Sequence, residues 1–252
     1  MTARGAELAR MAQLELALFL REPIGTFFTI AFPVILLLTL GSAFGDIDVD
    51  IGTFTYIDVY VPALYGMIIA NLGLMSIPIV LGEYRDSGYL KTVLATPLPR
   101  GLFMAAQALA HGAVAVAAAI IVAGVAAAVF GLQFGGSVVS IAIFLALGAA
   151  AFFACGHLLA SIFKSVRSCQ AVGSATFFVM LFLSGAAIPR EQFPDWLDTL
   201  GSTLPLAQLV DPLVDLWTGK PLSQQLGHAL YLVVLAAGAI TATALLRRHR
   251  DY

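Results

Sequence analysis

Six uninterrupted apolar segments dominate this sequence, and each is long enough to cross a lipid bilayer. They cover residues 23–44, 59–81, 102–130, 138–163, 168–188 and 226–246. A helix needs about 20 apolar residues to cross the hydrocarbon core, whereas the strands of membrane barrels are shorter and alternate in polarity. The chain is therefore predicted to be an all-α membrane protein, with six transmembrane helices in a single transmembrane domain over residues 1–252.

The composition agrees with a membrane protein. Of the 252 residues, 60 % are apolar and 11 % are charged, and a soluble domain of this length has no core large enough to hide so much apolar surface. The segment before the first span contains Glu7, Glu15 and Glu22 and lacks a cleavage site of small residues. The first span is therefore predicted to remain as an anchor. Cys155 and Cys169 are predicted to be free thiols.

The basic residues predict the orientation. Loops assigned to the cytoplasm hold eleven of the thirteen, namely Arg4, Arg10, Arg21, Arg85, Lys91, Arg100, Lys164, Arg167, Arg247, Arg248 and Arg250. Loops assigned outside hold Arg190, Lys220, Asp46, Asp48, Asp50, Asp58, Glu191, Asp195, Asp198, Asp211 and Asp215. Because short loops rich in Lys and Arg stay in the cytoplasm, we predict a multi-pass protein of the bacterial inner (cell) membrane with both termini cytoplasmic.

Several kinds of active site are absent from the sequence. It contains no G-x-x-x-x-G-K-[ST] phosphate loop, no H-E-x-x-H zinc helix and no G-x-S-x-G nucleophile elbow. The spans hold neither a chain of carboxylates nor a ring of charges, which would indicate a proton-coupled transporter or a channel. We therefore predict no catalytic residue, no metal site and no nucleic-acid partner, and we expect the energy source to lie on another protein.

Three polar side chains fall inside the predicted spans. His111, His157 and Asn71 are functional candidates because an ionisable or polar group in a membrane is costly. The same side chains can instead form hydrogen bonds between helices. The sequence leaves both interpretations open.

The longest predicted cytoplasmic loop has the features of a short helix. Leu90, Val93 and Leu94 recur at helical spacing, and Thr96-Pro97 ends the pattern before the third span. Such a helix either lies on the membrane surface or docks to a cytoplasmic partner.

This loop also carries a resemblance to a known family. The residues Arg85-Asp86-Ser87-Gly88-x-Leu90, followed by Leu94-x-Thr96-Pro97, resemble the loop between the second and third spans in permeases of type-2 ABC transporters. In that family the helix of this loop contacts the ATPase. The resemblance implies a cytoplasmic coupling helix that includes Glu83, Arg85, Asp86, Ser87, Gly88, Leu90, Val93, Leu94, Thr96 and Pro97. Tyr84 stands where the family usually has its first acidic residue.

A second stretch, after the fifth span, resembles the same family. There a span end rich in small residues leads into re-entrant outer helices between spans 5 and 6. The residues that carry this match include Gly185, Pro189, Phe193, Pro194, Trp196 and Pro205. The resemblance also implies an N-terminal cytoplasmic helix, which residues 5–20 can supply.

The resemblance implies how the chain would work. Two copies of it, or one copy and a homologous permease, would pair with two copies of a separate ATPase that binds the ATP and Mg, so that this chain binds no cofactor. The cargo path would lie at the permease dimer interface. The candidates for that path are Asn71, Ser174, Phe177, Phe178 and Phe182.

The apolar character of these candidates favours a hydrophobic or amphipathic cargo, such as a drug, an antibiotic or a lipid-like molecule. The expected function is export of the daunorubicin-exporter kind, with multidrug export or antibiotic resistance as its outcome. The alternatives are a permease for polysaccharide or lipid-linked glycan, a secondary transporter or channel, and a non-transporting membrane immunity or scaffold protein.

Overall fold

The computed structural model describes residues 3–45, 54–89, 100–187 and 193–248, and the regular structure in these ranges is helical. Six helices are long and apolar enough to cross a membrane, as predicted. These spans 1 to 6 are Pro23–Phe44, Tyr56–Asp86, Gly101–Phe130, Val138–Ile162, Val166–Leu183 and Leu222–Leu246. An N-terminal helix, Ala3–Leu20, precedes them, and two short helices, Asp195–Thr203 and Ala207–Trp217, lie between spans 5 and 6.

Span 2 is the centre of the bundle. Most of its residues are buried inside the protein, whereas most residues of spans 1, 3, 5 and 6 are not. It packs against spans 1, 3, 4 and 5, while span 6 packs along span 4. A movement of span 2 therefore acts directly on spans 1, 3, 4 and 5.

Spans 1 and 2 each contain one π-helical turn, at Phe27–Ala31 and Leu72–Ser76. Two residues after each turn stands a proline, Pro33 or Pro78. Proline has no N–H to donate to the carbonyl four residues earlier, which in span 2 belongs to Leu74. The wider π turn accommodates this missing hydrogen bond, and such turns occur often at functional sites.

Glycines on two neighbouring spans make room for the π turn of span 2. A Cβ atom on Gly156 of span 4 would collide with the carbonyl oxygen of Gly73, and one on Gly173 of span 5 would collide with that of Leu74. Small residues allow helix backbones to approach closely in a membrane. Spans 4 and 5 therefore contact span 2 backbone to backbone at the turn.

The C-terminal ends of spans 2 and 5 each differ from the sequence prediction by five residues. Span 2 continues to Asp86 instead of ending at residue 81, and the helix ends just before Gly88, whose φ is +77°. Span 5 ends at Leu183 instead of residue 188, just before Gly185 with φ +87°. Positive φ is accessible to glycine at little cost, and it ends a helix in the way a C-terminal cap does.

The polar elements gather at the two ends of the bundle. The end that carries the N-terminal helix, the last turn of span 2 and the turn between spans 4 and 5 is called here the basic end. The opposite end, with the start of span 2, the turn between spans 3 and 4 and the two short helices, is called the acidic end. The N-terminal helix packs on span 3, and the second short helix packs on spans 2 and 4.

Candidate functional site

The last turn of span 2, at the basic end, is fastened on two sides. The Tyr84 hydroxyl donates to Glu15 Oε2 of the N-terminal helix at 3.1 Å. The Arg85 guanidinium donates to the carbonyl oxygen of Phe163 at 2.8 Å and to that of Ala160. These carbonyls belong to the C-terminal end of span 4, where helix carbonyls lack intrahelical partners. The end of span 2 thus joins the N-terminal helix to span 4.

The same turn also presents polar groups to the outside. Glu83, Asp86 and Ser87 are exposed, and the Ser87 hydroxyl donates to the Glu83 carbonyl oxygen at 2.8 Å. Gly88 ends the helix and has open space around its α-carbon. The described part of the predicted coupling segment is therefore a rigid helix end with an exposed polar face.

The predicted coupling helix also has an apolar half, which follows Gly88 in the chain. Leu90, Val93, Leu94, Thr96 and Pro97 lie outside the described residues. Their proposed contact with an ATPase stays a prediction.

Glu15 belongs to a buried polar network that sequence reasoning missed. Its side chain is 3 % exposed, and besides Tyr84 it accepts from Gln107 Nε2 of span 3 at 3.4 Å. Burial raises the pKa of Glu15 above its ordinary value, and the hydrogen bonds from Tyr84 and Gln107 partly oppose that rise. The same helix also carries Glu7 and Arg10, so its sequence does not single out Glu15, whose partners lie far away in the chain.

His111 lies one helical turn beyond Gln107. Its Nδ1 donates to the Gln107 carbonyl oxygen at 2.9 Å, and its Nε2 lies 3.2 Å from the Ser76 hydroxyl. Both ring nitrogens are thus satisfied, and the second bond joins span 3 to the π turn of span 2. This geometry favours the helix-bridging interpretation of His111.

The other two intramembrane candidates also form hydrogen bonds. Asn71 accepts from the Thr29 hydroxyl at 3.1 Å, so it bridges the π turns of spans 1 and 2. His157 Nδ1 donates to the Phe153 carbonyl oxygen of its own helix at 2.7 Å. Asn71 therefore forms a hydrogen bond between helices, which is one of the two interpretations that the sequence left open. It directly precedes the π turn of span 2.

A comparison with known protein families identifies the chain. The model of the family described as ABC-2 type transporter matches residues 7–216, which is most of the chain. The chain belongs to the ABC-2 type transporter family. Members are transmembrane permease subunits and not enzymes themselves, and the family implies pairing with an ABC ATPase. No curated protein matches the chain.

The predicted path residues of this ABC-2 permease do not share one surface. Phe177 is buried within the bundle and Ser174 is half-buried, while Asn71 lies between spans 1 and 2. Phe178 and Phe182 are exposed on span 5, with stacked rings whose centroids are 6.5 Å apart. In a single copy, the exposed path candidates are therefore these two phenylalanines.

The acidic end of the permease is held together by Asp58. Its carboxylate accepts from the Thr55 backbone N–H at 2.8 Å, which caps span 2, and from the Gln133 N–H at 2.7 Å. Trp217 Nε1 donates to the Gln133 carbonyl oxygen at 2.9 Å. These bonds tie the start of span 2, the turn between spans 3 and 4, and the second short helix together. The Thr55-x-x-Asp58 spacing, typical of a capping box, was the available sequence signal.

The predicted outer residues occupy different environments. Gly185 has the positive φ described above, Phe193 and Pro205 are half-buried, and Pro194 is exposed. Trp196 is 69 % exposed and lies on the protein surface. Pro189 lies outside the described residues. The re-entrant placement of this segment in the outer leaflet stays a prediction.

Trp217 is a buried aromatic residue of the acidic end. Its ring makes edge contacts with Tyr65 of span 2 and Phe134 of the turn, with centroids 5.9 and 4.7 Å apart. Leu209 and Val210 of the same short helix press against Gly148 and Gly66. The second short helix is thus inserted among spans 2 and 4. The resemblance implied re-entrant helices in this segment, but not these contacts.

Proposed function

We propose that this ABC-2 permease is the membrane-spanning subunit of an ATP-driven exporter that moves a hydrophobic or amphipathic small molecule out of the cytoplasm. A drug, an antibiotic or a lipid-like molecule fits this class. ATP would be hydrolysed by a separate subunit. The observation that carries the proposal is the last turn of span 2, which has an exposed polar face and two fixed inner contacts.

The geometry offers a route for mechanical force. A push on the exposed face of Glu83, Asp86 and Ser87 would act on the N-terminal helix through Tyr84 and on span 4 through Arg85. Along span 2 it would reach the π turn, where Asn71 contacts span 1. Because a π turn is a local irregularity of the helix, it is the place where we expect span 2 to bend.

The membrane orientation follows from the same proposal. The basic end faces the cytoplasm and its ATPase, and both termini are cytoplasmic. The acidic end faces outward from a bacterial inner membrane. The excess of Lys and Arg in the loops of the basic end supports this orientation.

We propose an assembly of two permeases and two ATPases, with ATP and Mg bound on the ATPases. The two permeases are identical copies or one copy and a homologous permease. The exposed Phe178 and Phe182 of span 5, together with Phe27 and Ile35 of span 1, offer apolar surface for the permease contact and the cargo. Export of the daunorubicin-exporter kind, with multidrug export or antibiotic resistance as its outcome, is consistent with such surface.

Co-purification tests the proposal. The full chain, expressed with candidate ABC ATPases and extracted in mild detergent, should retain one of them and export an apolar dye when ATP is hydrolysed. Leu90→Asp should insert normally but lose both ATPase retention and export, because a charge replaces the predicted apolar anchor.

Leu200→Asp is the matched control. Leu200 is exposed on the first short helix at the acidic end, so this substitution should leave ATPase retention unchanged. Export that needs an ion gradient and no ATPase would support a secondary transporter instead. Protection of cells that survives loss of ATP hydrolysis would support an immunity or scaffold protein. Transport of a glycan in place of the dye would correct the cargo class.

A further inference from the structure

The carboxyl group of Glu15 is buried between three helices. The N-terminal helix carries it, and Tyr84 of span 2 and Gln107 of span 3 both donate to its Oε2 atom. Gln107 is fully buried. Transfer of an ionised carboxylate into such a site is costly unless a cation or several hydrogen bonds compensate for the lost water.

The remaining atoms of the site are acceptors. Glu15 Oε1 and Gln107 Oε1 are both buried, and neither has a hydrogen-bond partner among the described residues. The two side chains are already joined by one hydrogen bond through their other atoms. A proton on Glu15 would turn one of the two acceptors into a donor, and it would allow a bond to Gln107 Oε1.

Among the described residues, the titratable groups around the site offer no compensating positive charge. Tyr84 lies at the end of span 2 and Tyr89 just after it, and Glu83 lies near Glu22, which directly precedes span 1. On span 3, His111 uses both ring nitrogens in the bonds to Gln107 and Ser76. Within the described residues, no Lys or Arg side chain bonds to the Glu15 carboxyl group.

We propose that Glu15 is a proton-binding site, and that the N-terminal helix docks on spans 2 and 3 with Glu15 protonated. The proton comes from water at the basic end, and the carboxyl O–H then donates to Gln107 Oε1. Loss of the proton leaves a buried anion opposite an unpaired acceptor, which weakens the docked helix. Docking of the N-terminal helix in this way does not depend on the identity of any cargo.

The sign of the pH dependence follows from the direction of the pKa shift. Burial raises the pKa of Glu15 from its ordinary value of 4.5, so the docked helix holds the proton more tightly than the undocked helix does. The stabilisation is complete below that ordinary value and is lost as the pH rises through the raised value. Within that window a single proton changes the docking equilibrium by about tenfold per pH unit.

Infrared spectroscopy of the purified full chain in lipid nanodiscs tests the proposal directly. A protonated carboxylic acid has a C=O stretching band that its carboxylate lacks. A band that disappears as the pH is raised above 4.5, and that is missing in Glu15→Gln, is the expected result. Glu7→Gln, the same substitution at an exposed position of the same helix, should keep the band.

Thermal unfolding across the same pH series gives a second readout. Wild-type protein and Glu7→Gln should lose stability as the pH rises, whereas Glu15→Gln should lack that component, because a glutamine imitates the protonated acid. The absence of a Glu15-dependent band would overturn the proposal and indicate a carboxylate bridged by water. Equal pH dependence in Glu15→Gln and wild type would also overturn it.

Discussion

The guanidinium of Arg85 donates to the carbonyl oxygen of Phe163 at 2.8 Å, although the two residues are 78 positions apart in the chain. A second bond to the Ala160 carbonyl completes the contact. A positive charge is favourable at a helix C-terminus, where the last carbonyls carry partial negative charge. The end of span 2 and the end of span 4 are thus fixed to each other at the basic end.

Removal of this contact should lower the stability of the protein without affecting its insertion into the membrane. Arg85→Ala is expected to insert normally but to lose about 1–3 kcal/mol of unfolding free energy, because the span 4 carbonyls lose a charged donor. Arg85→Lys should recover part of the loss, since it keeps the charge without the planar fork. Thermal unfolding in detergent measures the effect. Arg10→Ala, at an exposed position, is the control, and an equal loss there would refute the prediction.

Because spans 4 and 5 contact the backbone of span 2 at the π turn, the effect of a Gly→Ala substitution on stability should depend strongly on its position. Gly156→Ala and Gly173→Ala should each destabilise the protein by about 1–3 kcal/mol, because the new methyl group meets a carbonyl of span 2. Gly124→Ala is the matched control, since its α-carbon on span 3 has open space and alanine favours helix. Resistance to thermal unfolding would be compared for all three. Similar behaviour at the three sites would show that spans 4 and 5 do not contact span 2 this closely.

At the acidic end, Asp58 should matter more than its neighbours. Asp58→Asn places an amide N–H₂ opposite the N–H groups of Thr55 or Gln133, so we expect a loss of about 1–3 kcal/mol. Asp195→Asn, at the exposed start of the first short helix, should lower the unfolding free energy by at most a few tenths of a kcal/mol. Chemical unfolding followed by tryptophan fluorescence, in a Trp196→Phe background that leaves Trp217 as the reporter, would measure both changes. Equal effects would mean that Asp58 does not hold this end together.

The sequence predicted those features of the fold that depend on residues close together in the chain. Continuous apolar runs are sufficient to define the six spans, because length and composition decide whether a helix crosses a bilayer. The prolines alone do not predict the π turns, since Pro33 and Pro78 follow such turns whereas Pro62, also inside span 2, lies in an α-helical segment. The site was less accessible, because the bonds of Tyr84 to Glu15 and of Gln133 to Asp58 join residues 69 and 75 positions apart. Without knowledge of helix packing, a buried Glu15 and an exposed Glu7 look alike.

Gly88 permits a test of why the last turn of span 2 ends where it does. Its φ of +77° is accessible to glycine, tolerated by asparagine and unfavourable for alanine or tryptophan. The space around its α-carbon is open among the described residues, so a side chain there meets no other described part of the permease. Two separate reasons for a glycine can therefore be distinguished by size and by backbone preference.

If the backbone conformation is what coupling requires, Gly88→Asn should keep ATPase association, while Gly88→Ala should weaken it by roughly 1 kcal/mol, about fivefold. Under this explanation Gly88→Trp should weaken association about as much as Gly88→Ala, whereas it should abolish association if an ATPase surface lies against the glycine. If instead an ATPase surface approaches the glycine closely, association should decrease with side-chain size, and Gly88→Asn should be worse than Gly88→Ala. Quantitative pull-down of the ATPase with each variant gives the order. Full association of Gly88→Trp would show that force enters this permease at another surface.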